Sequence, residues 1–490
     1  MLTNIYWLLP EIFLSVSLTI LLIFGTVCTK LNNYFAQTFK LITISIFTCL
    51  ILSLIYINQL ILYTNIHLSL DLILITPLSI LIKLILCLTT SVIFLLSKDT
   101  IINKTIKDFE YQILILLALL GMLLLVSSNN LIIFYLSIEL FSLSLYILAT
   151  INRQSEHSTE AGLKYFVLGS LSSGLLLFGC SILYIFTGET NFEHISYFLW
   201  YNNNFSLTLG VLFIIIAILF KLAAAPFHMW APDVYEGAPT IVTAFFAIVP
   251  KIATIGIFIN LIWFCFFGIF QEIQPILIIS SILSLLIGSI GALNQTKIKR
   301  LIAYSAISHV GFILLGIIPG TIYSLQATIT YTIIYIIMTI ATFTFVLTIF
   351  EKTNYISELS GLSRKNPILA SSFGLILFSI AGIPPLAGFF SKYLIILEAL
   401  NSKLLILAII AIIASSIAIF YYIRIIKWMF FKDSTDFYLK DIADIAKPNF
   451  HITLNASLIF GVSLFFIITI LFYPNYLINS IFEVLINSLI

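Results

Sequence analysis

The sequence predicts an all-α polytopic membrane protein of about fourteen transmembrane helices, with two inverted five-helix repeats and discontinuous helices seven and twelve. Three observations predict it: an apolar composition, an alternation of basic connections, and two Pro/Gly clusters that interrupt apolar segments five helices apart. Hydrophobic residues make up 61% of the chain and charged residues 9%, against roughly 45–50% and about 25% in a soluble globular protein. Lipid bilayer, not water, is the expected solvent. A net charge of +2 is too small to suggest a nucleic-acid partner.

A helix needs about 20 apolar residues to cross the hydrocarbon core. Such stretches fall at 6–27, 39–63, 72–97, 110–128, 130–150, 162–187 and 207–225, then at 239–264, 274–294, 300–319, 325–350, 367–400, 403–430 and 452–474. The first lacks a basic n-region and a small-residue cleavage site, so a retained helix is expected rather than a signal peptide. These spans divide the chain into an N-terminal three-helix segment (1–109), a first five-helix repeat (110–264), a second (274–430), and a C-terminal loop with the last helix (431–490). No soluble domain is left over.

Basic residues test this segmentation, because an invented or omitted helix would scramble their alternation. Eighteen of the 23 Lys and Arg lie in or beside connections that follow odd-numbered helices, and only Lys403 lies in one that follows an even-numbered helix. Both termini are therefore expected on the proton-rich face, opposite the basic loops. The connection after helix seven is the exception, with neither Lys nor Arg between Ala225 and Pro239. Pro226, Pro232, Gly237 and Pro239 interrupt the chain there, and Gly382, Pro384, Pro385 and Gly388 interrupt helix twelve. Broken helices free backbone groups that a membrane tolerates only where protein or a water-filled cavity satisfies them. An odd offset of five helices makes helices four to eight and nine to thirteen inverted repeats, with sites at the breaks.

A charge at the bilayer centre costs roughly 2.5–3.5 kcal/mol on insertion scales, so each needs a partner, a cavity or a function. Glu139 sits in mid-helix five, Lys221 just before the first break, Lys251 after Pro250 in helix eight, His309 in helix ten, Lys392 just after the second break, and Lys83 in helix three. A buried ammonium suits proton relay, since desolvation favours the neutral amine while a nearby carboxylate restores the charge. Glu139 is the one acidic residue placed near a helix centre, and Lys221 is its first-choice partner. A static ion pair that only fixes helix packing is the alternative. Lys221, Lys251 and Lys392 read as successive stations of a hydrated path. His309 can pass protons near neutrality, and it stands five helices beyond Glu139. His228, in the first break, is a candidate for lining the water path, with interfacial packing as its alternative. Lys164, at the start of helix six, is a site candidate for which an interfacial anchor is the simpler role. Lys83 has no counterpart, and a local role or snorkelling into a cavity is expected of it.

Redox chemistry finds no support. There is no Gly-x-Gly-x-x-Gly after a strand, no Walker loop, and no paired haem histidines. Cys28, Cys49, Cys87, Cys180 and Cys265 lack any cluster spacing and read as small core hydrophobes.

Long motifs carry a resemblance. The runs Ile138-Glu-Leu, Ser158-Thr-Glu-Ala-Gly-Leu-Lys-Tyr165, Phe220-Lys, Pro226-Phe-His-Met-Trp-Ala-Pro-Asp-Val-Tyr-Glu-Gly-Ala-Pro239, Gln295-Thr-Lys-Ile-Lys-Arg-Leu-Ile-Ala-Tyr-Ser305 and Ala381-Gly-Ile-Pro-Pro-Leu-Ala-Gly-Phe389 resemble the family of subunit N of NADH-quinone oxidoreductase, also called mitochondrial subunit 2. The resemblance implies the fold of the antiporter-like subunits of respiratory complex I. It places the family's helix-five glutamate on Glu139 and its lysines of helices seven, eight and twelve on Lys221, Lys251 and Lys392. It also puts a common histidine on His309 and carries no role to Lys83. Lysine at 392 favours subunit N over its sister subunit M. The implied function is proton translocation in the membrane arm of NADH:ubiquinone oxidoreductase, with quinone reduction elsewhere in the complex. No cofactor is expected in this chain, and NADH, FMN, iron–sulfur clusters and ubiquinone are expected in partner subunits. Other complex I subunits, especially neighbouring antiporter-like ones, are the expected partners. The expected location is the mitochondrial inner membrane, with a bacterial plasma membrane as the alternative. A stand-alone monovalent cation/proton antiporter and a purely structural membrane subunit remain as competing functions.

Overall fold

The computed structural model describes residues 2–29, 34–60, 65–68, 71–102, 109–201, 204–349, 355–432 and 453–489. The chain forms two compact units, Met1–Leu277 with Ser480–Ile490, and Ile278–Asn479.

The first unit opens with α1 (Leu2–Thr29) and α2 (Tyr34–Leu60), followed by a short antiparallel hairpin of β1 (Ile66–Leu68) and β2 (Ile73–Ile75). Then come α3 (Pro77–Ile102), α4 (Glu110–Val126), α5 (Leu131–Ala149), α6 (Glu156–Thr187) and α7 (Phe192–Tyr201). It continues with α8 (Phe205–Leu222), α9 (Trp230–Gly237) and α10 (Thr240–Asn260), which runs on into one π-helical turn, Leu261–Cys265. The chain passes to the second unit within α11 (Phe270–Leu293). That unit holds α12 (Ile298–Ile317), α13 (Ile322–Ile349), α14 (Leu362–Lys365), α15 (Pro367–Ala381), α16 (Ala387–Asn401), α17 (Leu405–Phe431) and α18 (Leu454–Thr469). The last helix is α19 (Pro474–Leu489).

Helices dominate because hydrocarbon supplies no hydrogen-bond partners, so each segment must satisfy its own backbone. Each of the fourteen apolar segments coincides with helix, but their number as complete crossings is lower on length. Eleven described helices are long and apolar enough to cross a membrane, or twelve if α18 and α19, bent by 92°, form one span. The shortfall lies at α4, with 17 residues, and α15, with 15. Three boundaries also differ from the sequence reading. Residues 73–75 are strand rather than the start of helix three, because Pro77 opens α3 at the position where a missing N–H costs nothing. Helix six begins at Glu156, six residues early, since its polar first turn escapes a hydropathy window while Ser158 Oγ anchors it to Ala149 O at 2.7 Å. The apolar stretch ending at 474 is followed by α19, which the sequence reading missed.

Burial separates the helices. The membrane window of α10 is wholly enclosed, whereas those of α1 and α6 are one-third buried. A helix apolar all round and enclosed is a core element, and α10 carries Lys251. Cys49, Cys87, Cys180 and Cys265 are free and buried. The side chain of Cys28 and the connections holding Lys30, Lys104, Lys107, Lys352, Lys440 and Lys447 lie outside the described residues.

Candidate functional site

Both expected interruptions are present, and they share a local plan. In the first unit α8 ends at Leu222, and Ala223 takes the left-handed conformation at φ 60°. The amides of Ala223 and Ala224 donate to Phe220 O and Leu219 O at 3.0 and 2.9 Å. Trp230 Nε1, from α9, donates to Phe220 O at 3.0 Å. The carbonyls freed by the break thus find protein donors, as a lipid environment demands. In the second unit α15 ends at Ala381, and Gly382 occupies the equivalent place at φ 91°. Gly382 N–H donates to Ser379 O at 3.0 Å and Ile383 N–H to Phe378 O at 3.0 Å. The peptide bonds Ala225–Pro226 and Pro384–Pro385 are both cis.

Lys221 lies on the last turn of α8 and is buried. Its Nζ donates to Tyr146 OH at 3.2 Å and stands 5.6 Å from that ring's centroid and 6.0 Å from that of Phe141. The expected direct pair with Glu139 is not formed, since no ion pair joins the two among the described residues. Tyr146 lies seven residues beyond Glu139, two turns along one face of α5, so the end of α8 meets the tyrosine first. Glu139 Oε1 is shut from solvent without a hydrogen-bond partner among the described residues.

Around this lysine an aromatic stack ties α5, α6 and α9 together. Tyr146 meets Tyr165 edge-on at 4.8 Å, and Tyr165 stacks on Trp230 at 4.7 Å. Lys164, beside Tyr165, lies within α6 rather than at its start and is 44% exposed. It pairs with Glu160 at 2.8 Å and with Asp233 of α9 at 3.1 Å, which makes it a clasp between two helices as well as an anchor. His228 is buried in the break, and its Nδ1 has no hydrogen-bond partner among the described residues. Lys251 is buried in α10, one turn before Thr254, whose hydroxyl bonds to Pro250 O at 2.9 Å.

In the second unit Lys392 lies on the second turn of α16 and reaches back across the break. Its Nζ donates to Ile380 O at 2.9 Å and to Ala381 O at 2.8 Å, the terminal carbonyls of α15. A cation at a helix C-terminus also meets the negative end of the helix dipole. The same ammonium stands 5.3 Å from the Phe312 ring, which stacks on Tyr331 at 5.9 Å. Tyr331 OH lies 2.6 Å from His309 Nδ1. The unit therefore brings Lys392 and His309 together through Phe312 and Tyr331. Beside His309 is a small cavity of about 20 Å³, lined mostly by apolar side chains such as Leu301, Met338, Phe373 and Leu377, with Ser305 and Tyr422 among its polar neighbours.

Four contributors escaped sequence reasoning. Tyr146 and Trp230 are aromatic residues in aromatic-rich segments and gave no polar signal. Asp233 stood in a motif already singled out, and its separation from Lys164 hid the pair. Glu11 is buried in α1 and meets Lys83 at 2.5 Å. Lys83 thus has an ion-pair partner, the local role of its two expected ones, and Glu139 is not alone as a carboxylate within the bundle.

Known proteins resemble this chain over most of its length. The family model described as NADH:quinone oxidoreductase/Mrp antiporter, TM, matches residues 128–418. The chain is 43% identical over 443 residues to NADH-quinone oxidoreductase subunit N of Pelagibacter ubique, covering 89% of this chain and 92% of that one. It is 42% identical over 401 residues to NADH-ubiquinone oxidoreductase chain 2 of Marchantia polymorpha, covering 80% of each. Among solved structures, a chain of respiratory complex I from Thermus thermophilus with bound aureothin superposes with a TM-score of 0.77 at 25% identity, over 96% of this chain and 99% of that one. A chain of the Mrp complex from Dietzia sp. shares the fold, with a TM-score of 0.84 at 20% identity over 98% and 97%. This multi-pass membrane chain belongs to the subunit N family of the NADH-quinone oxidoreductases, within the wider group of antiporter-like membrane subunits.

Proposed function

We propose that this chain translocates protons in the membrane arm of respiratory complex I, assembled with neighbouring antiporter-like subunits in the mitochondrial inner membrane; a bacterial plasma membrane is the alternative location. NADH, FMN, iron–sulfur clusters and ubiquinone belong to partner subunits on this reading, and electron transfer happens there. The observation that carries it is the set of buried lysines at or beside interrupted helices: Lys221, Lys251 and Lys392. Intramembrane ionisable residues that face a bundle interior mark ion pathways. Each lysine accepts a proton as an amine and passes it on as an ammonium. Moving one charge through the full potential costs about 2.3 kcal/mol per 100 mV, and successive stations divide that work. Glu139 is the counter-charge for Lys221 on this reading, since among the described residues Nζ is bonded to the neutral hydroxyl of Tyr146 and to no carboxylate.

Replacing Glu139 with Gln tests the reading, since it keeps the shape and removes the charge. The assembled variant complex, in proteoliposomes, should oxidise NADH with strongly reduced proton pumping. Pumping at the wild-type level would sink the proposal. The fold shared with the Mrp complex keeps a second reading in view, a stand-alone cation/proton antiporter. Purification decides between them: an antiporter is isolated without NADH dehydrogenase partners and exchanges ions in liposomes, whereas a complex I subunit co-purifies with a large assembly.

A further inference from the structure

Outside the lysines at the breaks, the first unit holds a second enclosed pair of titratable groups. Glu11 of α1 and Lys83 of α3 are 6% and 1% exposed, and Nζ lies 2.5 Å from Glu11 Oε1. Tyr56 of α2 donates its hydroxyl to the same oxygen at 3.1 Å, and its ring centroid is 5.8 Å from Nζ. The other carboxylate oxygen, Oε2, is buried without a hydrogen-bond partner among the described residues. That imbalance matters. A static buried ion pair repays its desolvation only when its remaining lone pairs are also satisfied, and here one oxygen takes two donors while the other takes none.

The pair also adjoins the helix of Lys251. Helix α3 packs along α10, and a Cβ on Gly256 would lie 2.6 Å from Cδ1 of Ile82, the residue next to Lys83. Gly256 is five residues past Lys251, about 7.5 Å along the helix axis at about 1.5 Å per residue. The bare backbone of α10 thus lets α3 seat closely, one and a half turns from Lys251.

We propose that Glu11 and Lys83 form a further proton-exchanging station in the first unit. The inference rests on the proton-translocating reading above. Within the pair, a proton moves from the Lys83 ammonium to Glu11 Oε1, turning ammonium and carboxylate into amine and carboxylic acid with no change in net charge. The amine then takes up one more proton, and the pair becomes singly positive. The neighbouring thiols of Cys49 and Cys87 and the hydroxyl of Thr90 take no part; Thr90 is engaged with Cys49 Sγ at 3.5 Å and Cys87 O at 2.9 Å.

The test compares three variants of the whole complex in proteoliposomes: Lys251→Arg, Lys83→Arg and the double variant Glu11→Gln/Lys83→Met. Lys251→Arg is the reference, and if it pumps like wild type the proton-translocating reading itself fails. With the reference inactive, Lys83→Arg keeps the ion pair but holds its proton permanently. It is expected to assemble, to oxidise NADH, and to lose protons pumped per NADH. The double variant, which replaces a buried pair by neutral groups of similar size, is expected to assemble and show the same loss. Wild-type pumping in either assembled variant overturns the inference alone, as does failure of the double variant to assemble, which would assign the pair to packing.

Discussion

The two interrupted helices solve one problem with different donors. At the first break the indole of Trp230 joins the Ala223 amide on the Phe220 carbonyl, and Lys221 points at Tyr146. At the second break Lys392 is itself the cap, bonded to two carbonyls at the end of α15. Counted from the left-handed residue, Lys392 corresponds to Asp233 of the first unit, and Lys221 corresponds to Ile380 of the second. The lysines are therefore not equivalent in sequence, although the ammonium of Lys392 docks on the carbonyl of the residue that matches Lys221. What is shared is the place where a positive charge sits, at the frayed end of the first half-helix. A charge there can be tuned by a carboxylate in one unit and by backbone dipoles in the other.

Five substitutions would break or sharpen this comparison. The largest effect is expected at Gly388, where a Cβ would lie 1.8 Å from Ser379 O, a backbone atom that cannot move aside cheaply. Overpacking of this kind costs about 1–3 kcal/mol or more, so Gly388→Val should deplete the assembled complex on native gels. Met229, at the matching place in the first unit, is 70% exposed, and Met229→Val should assemble normally. Next, Lys221→Met and Lys392→Met should both abolish pumping, but only the second also removes two backbone acceptors' donor. Each carbonyl so stranded costs about 1–3 kcal/mol. The thermal midpoint of the Lys392→Met complex should consequently fall below that of Lys221→Met, and equal midpoints would refute the capping role. The smallest effect is expected from Trp230→Phe, which removes one of the two donors to the Phe220 carbonyl, keeps the stack on Tyr165, and should cost about 0.5–1.5 kcal/mol while pumping persists.

Much of this was legible in the sequence for physical reasons. Segments of roughly 20 apolar residues can do little but cross a bilayer as helices, and the Pro/Gly clusters at 226–239 and 382–388 cannot sit inside a regular one. Lys221, Lys251, Lys392, Glu139 and His309 were visible because charge is rare in hydrocarbon. Their partners were not, because contact depends on helix packing. Charge alone matches Lys221 with Glu139, whereas in the structure its Nζ bonds to Tyr146, two turns along α5 from Glu139. Glu11 was read past because it stands only a few residues inside the first apolar segment, where an acid reads as interfacial. The β1–β2 hairpin escaped because its residues Ile73–Ile75 are as apolar as the helix that follows.

The central claim is that buried lysines carry the protons and do more than supply fixed charge. Lys251→Arg tests it most directly, because a guanidinium keeps the positive charge and cannot release its proton at physiological pH. The account predicts an assembled complex that oxidises NADH without pumping through this subunit. Wild-type proton pumping in that complex would contradict it, since a permanent cation would then suffice at the core of α10.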